Sequence, residues 1–186
     1  MVKVARPEIL ITAKDYFQMP EGPPYFQLVQ GSLSMSPLPD HYHQDIVGNL
    51  HYLLRRHLAD HPTGKVMLSP SDVQLTKFDV YQPDLYYVSH ERRRIFTKQG
   101  VKGAPDLVVE VLSRSTARLD KGPKKQVYAQ AGVEELWFVD KDRREISVFR
   151  LGDSLAKPAS VFGEREELTS ALFPGLRLRL AEVFAD

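Results

Sequence analysis

The chain contains no cysteine. That excludes disulfides and thiolate metal sites, and it agrees with a reducing compartment. Long apolar runs are also missing: uninterrupted stretches reach only a few residues, too short for a transmembrane helix. Met1 to Glu8 contain no apolar segment of signal-peptide length, so the expected location is cytoplasmic, with no membrane partner. Overall charge is nearly balanced, +1 across 186 residues, and by itself indicates no class of partner. Internal repeats, low-complexity tracts and linkers are absent too, which leads us to expect one domain over residues 1–186.

What is present is the composition of a globular protein, 42% hydrophobic and 26% charged, in a chain long enough to bury a real core. Charge is unevenly distributed. Between Glu91 and Lys125 stand ten cationic residues and four anionic ones, a local +6 that would attract a polyanion. A solvated basic face without a partner is the competing explanation.

Local patterns give the order of elements. Thr12 with Asp15 reads as a capped helix start that Pro20 terminates. Tyr25–Val29 and Leu33–Met35 read as a hairpin around Gln30-Gly31. Apolar residues Ile46, Val47, Leu50, Leu53, Leu54 and Leu58 recur at three- and four-residue steps, predicting a helix over 40–59 that packs one face on a sheet. Strands are expected at 65–68, 73–75 and from Leu85, then a charged loop with one helical turn over 91–100. Next come a central strand at 107–112 and a single helix over 116–131 ended by Gly132. A hairpin of 135–140 with 146–150 follows. In the tail, Ser160–Phe162 and Arg177–Leu180 read as strands and Pro174-Gly175 as a turn.

The residue carrying most information is Glu110. It interrupts Leu107-Val108-Val109 and Val111-Leu112, where an unpaired carboxylate costs several kcal/mol by order of magnitude. Asp106 lies on the same strand face but about 13 Å away at ~3.3 Å per residue, too far to share an ion. A partner must come from another strand, and Asp84, opening the run Leu85-Tyr86-Tyr87-Val88, is the candidate. Asp106 takes a structural role. Asp120, Lys124 and Tyr128 are spaced four apart and share a helical face, whereas Lys121 and Lys125 point elsewhere, toward solvent or phosphate. The bland alternatives are a salt bridge from Glu110 to a core cation, a turn cap at Asp84, and an Asp120–Lys124 ion pair. Five of six histidines fall in or beside the long helix, but no ligand set is completed around His57 and His61.

Taken together, the Tyr/Phe-x-Leu-x-x-Gly-x-Leu hairpin, a histidine at a helix start (His43), Gln82-Pro83-Asp84-Leu85, Pro105-Asp106-Leu107-Val108-Val109-Glu110-Val111-Leu112-Ser113, Asp120-x-x-x-Lys124-x-x-x-Tyr128 and Gly132-Val133-x-Glu135-x-Trp137 resemble the Uma-two family. This is a bacterial family of predicted restriction endonucleases in the PD-(D/E)XK nuclease superfamily. The likeness runs from Tyr25 to Leu176. It implies a restriction-endonuclease-like α/β core, a mixed central sheet flanked by helices, with Asp84 and Glu110 as metal ligands. In the wider superfamily a lysine follows the second acid by two residues. Here Leu112 holds that place, and Lys124 would take over the role. Gln27 stands where the family usually has glutamate. It and His43 are accessory candidates.

The function expected is Mg²⁺-dependent hydrolysis of DNA phosphodiesters, with Mn²⁺ as an alternative ion. Asp84, Glu110 and the Val111 carbonyl would ligate the metal. Lys124 would orient or deprotonate the attacking water, and Arg114, Arg118 and Lys121 would contact backbone phosphates. Cutting both strands suits a two-fold dimer or a higher homo-oligomer. Two other readings stay open: a nuclease fold that binds nucleic acid or a protein without cutting, favoured by Gln27 and the missing strand lysine, and a phosphatase acting on small phosphoesters.

Overall fold

The computed structural model describes residues 10–20, 22, 24–35, 38–113 and 117–185. In chain order the elements are α1 (Ala13–Tyr16), β1 (Phe26–Val29), β2 (Ser32–Met35), α2 (His41–Asp60), β3 (Gly64–Leu68), β4 (Asp72–Gln74), β5 (Val80–Tyr81), β6 (Leu85–Ser89), β7 (Phe96–Thr97), β8 (Gly100–Lys102) and β9 (Leu107–Leu112). They continue with α3 (Ala117–Leu119), α4 (Lys125–Ala131), β10 (Glu135–Asp140), β11 (Glu145–Arg150), β12 (Ser160–Gly163), β13 (Glu167–Ser170), β14 (Phe173–Arg179) and α5 (Leu180–Val183). Among the described residues no helix is long and apolar enough to cross a membrane.

Two six-stranded sheets form, ordered β2-β1-β5-β4-β8-β7 and β12-β11-β10-β9-β6-β3, beside a β13–β14 hairpin. The second sheet is mixed, because β9 and β10 run parallel while β6, β11 and β3 are antiparallel to their neighbours. All six residues of β9 are buried, as expected for a strand covered on both faces. Alternation sends Leu107, Val109 and Val111 into one core, where the apolar face of α2 and the tail of the chain pack. Val108 and Leu112 enter the opposite core with Val127 and Tyr128 of α4 and with Val73, Tyr81 and Val101 of the first sheet. Glu110 has the parity of Val108 and Leu112. Glu110 is therefore directed to the face covered by α4, where it meets Lys124 and Tyr128. Asp84 precedes β6, and its side chain meets the Val111 N–H and His43 of α2, the helix packed on the opposite face.

Local chemistry explains the ends of elements. Thr12 and Asp15 close a reciprocal capping box on α1. The Asp40 side chain accepts the His43 N–H at the start of α2. Gln30 (φ +50°) and Gly31 (φ +78°) make the tight turn of the first hairpin. Gly100 (φ +132°) pairs with Asp72 across β4 and β8, and a Cβ there would overlap the Asp72 carbonyl oxygen. Gly100→Ala is expected to cost roughly 1–3 kcal/mol of backbone strain. That corresponds to a fall of roughly 2–12 °C in thermal midpoint for a chain of this size. Differential scanning calorimetry reads it directly.

Three sequence expectations are corrected. The helix over 116–131 is not continuous: Thr116 lies outside the described residues, and Asp120–Lys124 form a wide, kinked turn between α3 and α4. Gly122 is non-helical there (φ −105°, ψ −106°) and is followed by Pro123, which cannot donate a helical hydrogen bond. Pro174-Gly175 do not end a strand; they lie within β14, where Gly175 takes φ +80°. Lastly, β7, β8 and β13 are strands that sequence patterning leaves as loop, because two- to four-residue strands are too short to show a period.

Candidate active site

The site forms where β6 and β9 part company. Their pairing starts at Leu85 opposite Val109, so Glu110 and Val111 lie beyond that ladder with no β6 partner. Asp84 fills the gap: its Oδ2 accepts the Val111 N–H at 2.7 Å. Its Oδ1 lies 3.1 Å from Nε2 of His43 on α2. A carboxylate has no proton to give, so the imidazole carries the proton at Nε2. The Asp84 side chain retains 21% exposure, leaving a route from solvent.

Glu110 sits deeper. Lys124 Nζ is 2.6 Å and the Tyr128 hydroxyl 2.7 Å from its Oε1. Lys124 also reaches Asp120 Oδ1 at 2.9 Å and is only 2% exposed. The buried set is one cation between two acids, capped by a phenol. Two of the bland alternatives are thus physically present: the Glu110–lysine pair and the Asp120–Lys124 pair. The wide turn positions them, since it brings Asp120 and Lys124 onto the β9 side despite the break at Gly122.

Electrostatics follow from that burial. Loss of water pushes the Glu110 carboxyl up to about 8; Lys124 opposes the shift, while Asp120 and Asp84 add to it. Asp84 is therefore close enough for its charge to be felt at Glu110. Burial opposes the charge on Lys124, but Glu110 and Asp120 outweigh it and hold the ammonium above the ordinary lysine value. Burial, reinforced by Glu110, keeps the Tyr128 phenol protonated.

The remaining sequence candidates are placed as follows. Gln27 is beside the site, its Oε1 accepting the Gln82 N–H at 3.1 Å two residues before Asp84. Arg118 is exposed in α3 and Lys121 in the turn that follows it. Arg114 lies outside the described residues. Lys125 is not solvent-facing as its spacing implies: it is buried, with Nζ 3.3 Å from the centre of the Phe149 ring. Arg92 is engaged with Asp106 and Glu134. The basic stretch thus loses Arg92, Lys124 and Lys125 from its surface charge, while Arg93, Arg94, Lys98 and Lys102 remain exposed with Arg118 and Lys121. Asp106 bonds the Ser89 N–H and hydroxyl, a structural role. His57 and His61 stack at 4.4 Å. Among the described residues no three His, Asp or Glu side chains are gathered to hold a metal.

Sequence reasoning does not assign functions to Asp120 and Tyr128, although their four-residue spacing from Lys124 is visible. What it lacks is the contact of that face with Glu110.

Against this geometry stands a match over residues 13–181 to the family described as "Uma2: Putative restriction endonuclease". The chain belongs to the Uma2 family. The resemblance of its motifs and its mixed α/β architecture agree with that membership. A solved structure from Anabaena variabilis, described as a "putative nuclease belonging to DUF820", superposes with a TM-score of 0.78 at 18% identity. It covers 94% of this chain and 98% of its own, which shows that the two share a fold. No curated protein matches the chain. As an Uma2 protein it carries a nuclease-type fold, and Asp84 bonds the Val111 N–H, one residue from Glu110, where its β6 and β9 strands separate.

Proposed function

We propose that this Uma2 protein is a Mg²⁺-dependent endonuclease that hydrolyses DNA phosphodiester bonds, with Mn²⁺ able to substitute. The observation that carries the reading is that Asp84 accepts the Val111 N–H at the β6–β9 gap, one residue from Glu110, whose carboxylate is bonded to Lys124. The donor set is all oxygen and suits a hard cation that keeps several waters and takes few protein ligands. Asp84, Glu110 and the Val111 carbonyl would hold the ion; the carbonyl shares the strand edge of the Val111 N–H that Asp84 already meets. Bound there, Mg²⁺ would lower the pKa of a water and neutralise charge at phosphorus.

The chain's own groups supply the rest. His43 donates to Asp84 and fixes the direction of its carboxylate. Tyr128 and Asp120 hold Glu110 and Lys124 in register, so the ammonium stands beside the reacting phosphate without reorganising. Arg118 and Lys121, with Arg114, contact backbone phosphates and position the duplex without reading sequence. A homodimer would serve two strands.

Plasmid nicking in Mg²⁺ tests the reading. Wild type is expected to convert supercoiled DNA, and Asp84→Ala and Glu110→Ala to leave it intact. Cleavage surviving both changes removes the site assignment. One observation favours a non-cutting DNA-binding protein instead: Lys124 is clamped by two acids and both Asp84 oxygens are bonded. EDTA-insensitive, salt-sensitive DNA binding without turnover would select that second reading.

A further inference from the structure

A concavity of about 480 Å³ opens against the first sheet. Its size is within the range of small-molecule sites. It is linked to the candidate active site by two segments. Gln82 lines it, two residues (~7 Å of extended chain) before Asp84, and Pro70 lines it immediately after Ser69, whose N–H donates to the Asp84 carbonyl at 3.1 Å.

The polar wall is built around Asp72. Its Oδ1 accepts from Gln82 Nε2 at 2.9 Å and from the Tyr16 hydroxyl at 3.0 Å. Because a carboxylate only accepts, the Gln82 amide must direct its NH₂ at Asp72, which leaves the Gln82 Oε1 as a second acceptor. Among the described residues no bond occupies Asp72 Oδ2 or Gln82 Oε1, so the wall carries two further acceptors on side chains joined by the 2.9 Å bond. The other walls are aromatic: Tyr16, Phe26 and Tyr25, the last 43% exposed at the surface. Lys98, also lining the cavity, supplies a cation.

We infer that this cavity binds a nucleobase, and that it selects guanine. The flat ring would stack on an exposed aromatic, an interaction that any base can make. Selection comes from the polar wall. Guanine alone presents two adjacent donors on its pairing edge, N1–H and the N2 amino group. Cytosine and adenine place a ring acceptor beside their amino group, which would face a second acceptor across the wall. Thymine offers one N–H between two carbonyls. A carboxylate that has no donor left to meet would discriminate strongly, because the wrong base leaves buried polar groups unpaired. Lys98 would meet the attached phosphate. The inference rests on the nucleic-acid reading of the site above, and it assigns Asp72 and Gln82 the role of determining which base stands next to the scissile bond.

The test uses the whole protein and the four 5′-deoxymononucleotides with deoxyinosine monophosphate, with binding read by saturation-transfer NMR and by titration in EDTA. Deoxyguanosine monophosphate is expected to bind at least tenfold more tightly than the other three. Deoxyinosine monophosphate, lacking only the N2 amino group, should bind several-fold more weakly than the guanine nucleotide. Asp72→Asn, which converts one acceptor into a donor, should remove the preference. Gln82→Leu provides a second variant should the first fail to fold. Equal binding of all five nucleotides by wild type overturns the inference, as does an unchanged preference in a folded Asp72→Asn or Gln82→Leu protein. Asp84→Asn separates the two readings: it should keep guanine binding while losing plasmid cleavage. If wild type shows guanine preference but no cleavage, the base site stands and the endonuclease reading falls.

Discussion

Above about pH 8, where Glu110 is ionised, Lys124→Met is expected to destabilise the protein by about 3–5 kcal/mol, because it strands two buried carboxylates that share one cation. For 186 residues this is a fall of roughly 6–20 °C in thermal midpoint. Lys124 Nζ lies 2.6 Å from Glu110 and 2.9 Å from Asp120, and all three side chains are nearly out of water. The loss should therefore depend on the acids' charge rather than on the missing ammonium's packing. Neutralising them in the triple variant Lys124→Met/Glu110→Gln/Asp120→Asn is expected to recover most of the stability, since no uncompensated charge remains. A chemical-denaturation series on the single and triple variants checks this. The triple variant reads stability alone, because it also removes the Glu110 carboxylate proposed to hold the metal. Catalysis is read on Lys124→Met itself, at a temperature where it stays folded. If the ammonium acts on the phosphate, its cleavage falls about 10²–10³-fold, the usual loss for a preorganised charge-stabilising donor. Full cleavage by folded Lys124→Met would remove Lys124 from the mechanism.

The second large effect is a proton linked to metal binding. Burial first, then the charges of Asp120 and Asp84, raise the Glu110 carboxyl from its ordinary 4.5 to about 8 against the pull of Lys124. A metal ligand has to be ionised, so uptake of Mg²⁺ below that pH displaces a proton. Apparent affinity is expected to rise with pH by up to about tenfold per unit and to level off above about 8. Without metal the sign reverses. Glu110 holds its proton longer when folded than when unfolded, so its contribution to stability is complete below about 4.5 and is lost as pH climbs toward 8. The thermal shift produced by Mg²⁺ should accordingly be larger at pH 8.5 than at pH 6. Isothermal titration in two buffers of different ionisation enthalpy counts the released proton directly. An affinity that is flat from pH 6 to pH 9 would mean that Glu110 is not a ligand.

Much of this site is legible in one dimension because its parts sit on regular elements. A glutamate among Val109, Val111 and Leu112 announces a buried charge, and period-two alternation sets its face. The spacing of Asp120, Lys124 and Tyr128 survives the break at Gly122, since one turn, wide or ordinary, returns the chain to the same side. Lys125 is different. Spacing puts it away from Lys124, and only packing shows that this direction leads onto the Phe149 ring rather than into water. Glu135 makes a similar point: it is as buried as Glu110, yet it accepts from Trp137 and Ser170 rather than from a lysine. Burial of an acid thus signals a constraint without saying which one.

Pattern, period and motif order alone determined the long helix at 41–60, the covered central strand, the acid embedded in it and the family to which the chain belongs. The structural features among these depend on neighbours within a few residues, where side-chain direction follows from backbone geometry. The tertiary structure decided what Glu110 meets, which lysines remain at the surface, that His43 reaches Asp84, and that Asp72 and Gln82 wall a cavity with Tyr16. Those contacts join residues 10 to 66 positions apart, and nothing local specifies them. They arise when two sheets and α2 close around one another and water is expelled from between them.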